Sequence, residues 1–131
     1  WETGYLVTEI LDIVDNGGIK TLMIDASFAA HMPDCLEMPY SPNVIGAKLE
    51  ESGVYRLGGS SCLAGDWVGS YTFEKAPKIG DYLILCDMMH YTMVKTTMFN
   101  GIALPDIGIY RDETYTVVKS FGFDDYQRRL S

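Results

Sequence analysis

Histidine and cysteine are scarce in this sequence, with two and three residues respectively. Cys35, Cys62 and Cys86 lie far apart, and an odd count without a close pair fits neither a disulfide framework nor a zinc site. With His31 and His90 as the only imidazoles, no metal site is expected. Reduced thiols in a cytoplasmic protein are the natural expectation. Basic residues are few as well, 10 Lys and Arg against 18 Asp and Glu, giving a formal net charge of −8. Nucleic acid is bound through clustered Lys and Arg, so it is not an expected partner, whereas an acidic surface suits a cationic small ligand. No stretch approaches the roughly 20 apolar residues of a membrane span, and no charged-then-apolar leader opens the chain. A soluble protein that does not engage a membrane is expected.

What is present is the material for a globular fold: 131 residues, 47% of them apolar, enough for a single domain over 1–131 with one core. From Trp1 to Asp15 the chain is rich in β-branched and aromatic residues, although Glu9 and Asp12 leave a helix possible in its second half. Asn16-Gly17-Gly18 is a strong hairpin signal before a second strand, Ile19 to Ile24. The abrupt strand-like start implies a domain that begins earlier. Between Asp25 and Pro42, three prolines within ten residues leave room for at most one short helical turn, from Pro33 to Glu37 with Pro33 near its first position. Such surface crossings often carry ligands, which makes His31, Asp34 and Glu37 candidate site residues.

Val44 to Glu50 and Val54 to Gly58 read as a short hairpin around Glu51-Ser52-Gly53. Asp66 to Phe73 reads as a strand or an irregular crossing, and Asp81 to Asp87 as a core strand. Thr92 to Thr97 is β-branched and reads as extended. Ile107 to Tyr110 and Thr114 to Ser120 form a final pair, and the tail to Leu130 places acids first and bases last, as a helix dipole prefers. Short strands broken by turns every ten or so residues predict an all-β barrel or sandwich with a little helix.

Chemistry concentrates in two stretches. In Gly58-Gly59-Ser60-Ser61-Cys62-Leu63-Ala64-Gly65-Asp66, glycines that permit φ > 0 or a close backbone approach surround one thiol. On its own this could be a buried cysteine beside a turn. The second stretch, Asp87 to Gly101, contains His90-Tyr91-Thr92 and ends in Thr97-Met98-Phe99-Asn100-Gly101. Taken in order, the Gly-x-x-Cys loop with its following acid and the Tyr-Thr … Thr-x-Phe-Asn-Gly segment resemble the C-terminal β-barrel domain of the pyridoxal-phosphate decarboxylases of ornithine, diaminopimelate and related substrates. His-Met-Pro-Asp-x-Leu-Glu-Met-Pro-Tyr at 31–40, Ser-Cys-Leu-Ala-Gly-Asp at 61–66 and His-Tyr-Thr-Met-Val-Lys-Thr-Thr at 90–97 resemble the branch acting on carboxynorspermidine and carboxyspermidine.

That resemblance implies a mainly β barrel domain with one or two short helices, part of a homodimeric carboxy-lyase of polyamine biosynthesis. Its cofactor is pyridoxal 5′-phosphate and its partner a polyamine-type substrate. It implies Cys62 as the proton donor, acting from the neighbouring subunit, and Tyr91 as a contact to the cofactor phosphate. Glu37 would hold the distal amine of the substrate, with His31 adding a hydrogen bond. Asp66 and Phe99 would belong to the subunit interface. Leu63 departs from ornithine-type relatives, which carry an acid after the cysteine, so the substrate tail must be read elsewhere. The family's cofactor lysine lies on an N-terminal (β/α)8 domain, and none of Lys20, Lys48, Lys75, Lys78, Lys95 and Lys119 sits in a matching motif. The chain is therefore expected to complete an active site rather than contain one, and to be inactive alone. A non-catalytic regulatory homologue and a free-standing binding barrel are the competing readings.

Overall fold

The computed structural model describes residues 3–131, so the expected strand start at Trp1 lies outside the described residues. The chain first runs through β1 (Tyr5–Asn16) and returns through β2 (Ile19–Ile24), with Asn16 paired to Ile19. Gly17 and Gly18 make the two-residue turn at φ 66° and 93°, a conformation that glycine adopts without a Cβ clash. β1 is a strand throughout. Its register shifts between Ile10 and Asp12, a bulge that bends it, so that residues 5–9 pair with β6 (Tyr82–Cys86) and residues 10–16 with β2.

Two short helices follow, not one. Ser27 caps α1 (Phe28–His31) by accepting from the Ala30 N–H at 3.0 Å, and Pro33 opens α2 (Pro33–Glu37). The missed α1 did carry a signal, a serine before an apolar run, which the prolines downstream obscured.

β3 (Ala47–Leu49) and β4 (Tyr55–Gly58) are not the hairpin that their spacing predicts. Both pair with β5 (Trp67–Phe73), which lies between them; Tyr71 is opposite Leu49 on one side and Tyr55 on the other. Tyr71 is fully buried with its hydroxyl donating to Pro42 O at 2.7 Å, and burial of so large a ring outweighs a local turn preference. With β4 parallel to β2, the sheet order is β3-β5-β4-β2-β1-β6. The residues before β3 reach the opposite edge: Ile45 N–H donates to Ile84 O, and Cys86 N–H to Asn43 O. Residues 43–49 thus pair with β6 at one end and β5 at the other, curling the sheet into a barrel. Its interior holds Ile10, Leu22, Ile24, Phe28, Leu57, Tyr71 and Leu85, all fully buried.

After β6 the expected extended segment is instead α3 (Tyr91–Lys95). Thr92 turns inward onto Asp34, and the Thr96 hydroxyl bonds back to Thr92 O at 2.8 Å. Tertiary contacts override the β preference of the threonines here. A tight turn at Phe99–Gly101 leads to a separate hairpin, β7 (Ile107–Arg111) and β8 (Thr114–Lys119), and to α4 (Phe123–Leu130).

Candidate functional site

The Cys62 loop is organised around a buried acid. Asp66 is 4% exposed, and its carboxylate accepts from Ser27 Oγ at 2.9 Å, Ala29 N–H at 2.9 Å and Ser61 N–H at 3.0 Å. It therefore joins the loop to the start of α1. The acceptors are used inside the chain, which gives Asp66 a loop-shaping role. Gly59 is what lets the carboxylate in: a Cβ there would sit 2.3 Å from Asp66 Oδ2. The need is close approach, since none of Gly58, Gly59 and Gly65 is left-handed. Gly59→Ala is expected to lower stability by about 2 kcal/mol through this overlap. Urea denaturation checks it, and an unshifted midpoint would contradict the packing.

Cys62 itself is exposed and in no disulfide. The other two thiols differ: Cys35 is buried, its pKa pushed up to about 11 by desolvation, and Cys86 is half-buried. Sγ of Cys62 accepts from Asn100 Nδ2 at 3.0 Å, so the two motif stretches meet at the thiol. The turn carrying Asn100 is tied to α1, because Thr97 N–H donates to Ala30 O at 2.7 Å and the Thr96 hydroxyl to His31 O at 3.1 Å. Loop, helix and turn close a ring of hydrogen bonds, Cys62 to Asp66 to α1 to Thr97 to Asn100. Sequence spacing had marked the Phe-Asn-Gly motif without giving Asn100 a task.

His31 is 4% exposed and part of this framework. Its Nδ1 accepts from Ser27 N–H at 3.2 Å and its Nε2 donates to Ala103 O at 3.0 Å. Burial lowers its pKa, against the opposing pull of the Ala103 bond and of Asp66 and Asp25. Both nitrogens are occupied by the fold in this arrangement, Nδ1 by Ser27 and Nε2 by Ala103.

Tyr91 opens α3 with 66% of its surface exposed, and its hydroxyl has no partner among the described residues. It lines a cavity of about 610 Å³ together with Asp34, Tyr40, Asp87, His90 and Val94. Asp34 is 2% exposed; its Oδ2 accepts from Thr92 Oγ1 at 2.9 Å and from the Tyr40 hydroxyl, while Oδ1 has no partner among the described residues. Burial and the Asp34 contact hold the Tyr40 phenol protonated, well above its usual range. Glu37 is exposed and ion-paired with Lys95, a second tie between α2 and α3. Neither Glu37 nor Cys62 lines the Tyr91 cavity. Phe99 is 42% exposed beside Asn100.

An exposed thiol on the Cys62 loop and an exposed phenol at the start of α3 lie beside a curled sheet, the architecture of a small β-barrel domain. Residues 2–89 match the family described as the C-terminal sheet domain of pyridoxal-dependent decarboxylases, and the chain belongs to that family. Over 99% of its length it is 52% identical to a carboxyaminopropylagmatine decarboxylase of Synechocystis sp., and over 98% it is 38% identical to a carboxynorspermidine/carboxyspermidine decarboxylase of Campylobacter jejuni. It spans 34% and 37% of those relatives, about a third of their length. The crystal structure of the C. jejuni carboxynorspermidine decarboxylase complexed with norspermidine superposes with a TM-score of 0.90 at 38% identity, covering 98% of this chain and 39% of that one. A diaminopimelate decarboxylase from M. jannaschii shares the fold at 16% identity, with a TM-score of 0.74 over 90% of this chain and 27% of that one.

Proposed function

We propose that this chain is the barrel part of a pyridoxal-phosphate-dependent decarboxylase acting on a carboxylated polyamine, and that it completes the active site of a homodimer. The observation that carries this reading is the presented thiol. Cys62 is exposed on a loop pinned by the buried Asp66, in a chain whose whole length matches polyamine-branch decarboxylases.

The cofactor fit is partial, in an informative way. Tyr91 offers a free hydroxyl beside a cavity that also holds Asp34 and Asp87. One neutral donor can orient a phosphate but cannot offset its charge, which requires donors and cations from outside this chain. The lysines are exposed except Lys95, which is paired with Glu37, and none lines the cavity. Pyridoxal phosphate, when bound, supplies the electron sink that lets CO2 leave. Cys62 then delivers a proton to the carbon that has lost CO2, acting at the site of the other subunit. Glu37 holds the cationic tail of the substrate. Its exposed pair with Lys95 does not prevent this, since such pairs contribute only about 0–1 kcal/mol and an incoming ammonium can replace the lysine.

Tyr91→Phe is expected to weaken cofactor binding about tenfold in the assembled enzyme, the loss of one hydrogen bond to a charged group. Absorbance titration with pyridoxal phosphate reads this, and an unaltered affinity would remove Tyr91 from the phosphate site.

The relative at 52% identity supports a second substrate, carboxyaminopropylagmatine, whose guanidinium also suits a carboxylate. The enzyme carrying this barrel should release CO2 from at least one of carboxynorspermidine, carboxyspermidine and carboxyaminopropylagmatine, with kcat/KM ranking the three. No release from any, with cofactor bound, would instead leave a non-catalytic homologue.

A further inference from the structure

We infer that Asn100 is a positioning residue for the Cys62 thiol, fixing the sulfur and receiving the charge left on it when its proton departs. This rests on the reading of Cys62 as proton donor. The amide Nδ2 lies 3.0 Å from Sγ across 38 residues of sequence, the one polar contact to this sulfur among the described residues.

The backbone beneath the amide indicates that the side chain matters. Asn100 has φ 60° and ψ 16°, the left-handed region that non-glycine residues adopt at a cost. Glycine would fill that corner with less strain, and Gly101 does so next door at φ 74°. What asparagine adds is the amide arm. The arm is delivered from a fixed frame: Gly101 N–H closes the turn onto Met98 O at 2.9 Å, and Thr97 N–H anchors it to Ala30 O. Asp66 holds the other end of that helix and the cysteine loop, so donor and sulfur share one support.

The chemistry follows from the two states of sulfur. A thiol is a weak acceptor, and a thiolate is a charged one that an N–H stabilises more. In the transfer, the S–H bond breaks and its electron pair stays on sulfur, while a C–H bond forms at the substrate carbon that has lost CO2. The amide is in place before the charge develops, so no reorganisation accompanies it.

Asn100→Gly keeps the left-handed corner and deletes the arm. Alkylation of Cys62 by iodoacetamide in the assembled enzyme, followed by mass spectrometry of its peptide near neutral pH, should be about fivefold slower, because the thiolate loses its donor. Cys86 serves as internal control and should react at an unchanged rate. In turnover, kcat should fall about tenfold with KM unchanged. Asn100→Asp keeps the shape but turns a carboxylate toward sulfur, and should react more slowly than Asn100→Gly. Wild-type alkylation in either variant would overturn the inference. Alkylation is read without turnover, so it judges Asn100 even where no substrate is decarboxylated.

Discussion

Cys62→Ala is expected to reduce kcat of the assembled enzyme by about 10² to 10³, the loss that accompanies removal of a positioned general acid. KM should move little, since the proposed proton transfer follows the seating of substrate. The thiol is dispensable to the fold: it is exposed, and its loss removes one hydrogen bond from an amide that water can satisfy. Thermal unfolding of the variant should therefore match the wild type. Stopped-flow spectra should still show cofactor bound as before, because the phosphate contact assigned to Tyr91 is untouched. Full activity in the alanine variant would end the case for sulfur as donor.

Asp66→Ala should lower stability by about 3 to 5 kcal/mol. Three donors, from Ser27, Ala29 and Ser61, converge on the carboxylate, which is 4% exposed, and none has a second acceptor among the described residues. Deleting it leaves the buried Ser27 hydroxyl and the half-buried N–H groups of Ala29 and Ser61 without this acceptor, and also frees the space that Gly59 was needed to provide. Asp66→Asn should cost less, since the amide oxygen retains acceptor capacity. Chemical denaturation measures both, and Cys62 alkylation should become less uniform as the loop loosens. A variant as stable as the wild type would mean that water reaches these donors.

These roles were unevenly legible in the sequence. The β1–β2 turn could be read from Gly17 and Gly18 because a left-handed two-residue turn has few alternatives. The β7–β8 pair and α4 were legible for similarly local reasons. The pairing of β3 and β4 through β5 was not, since strand order depends on which ring enters the core, and Tyr71 is no more apolar in sequence than Tyr55. Thr92 misled for the same reason: its hydroxyl answers Asp34 from 58 residues away. At the site, the resemblance named Cys62, Tyr91, Asp66 and His31 alike, and it did not show that Cys62 and Tyr91 are exposed while the hydrogen bonds of Asp66 and His31 turn inward. No residue pattern announces whether a polar group is satisfied by the fold or left for a ligand. That distinction lies in the partners within about 3 Å.

The strip at 43–49 has a consequence for how the surface can be met. Because it ties to Ile84 and Cys86 at one end and to Tyr71 and Phe73 at the other, the β5 and β6 edges along this strip are already taken, and no foreign strand can zip on there. Recognition along this strip falls to side chains, and the neighbouring strands offer Tyr5, Val7 and Tyr82 outward for it, each more than half exposed.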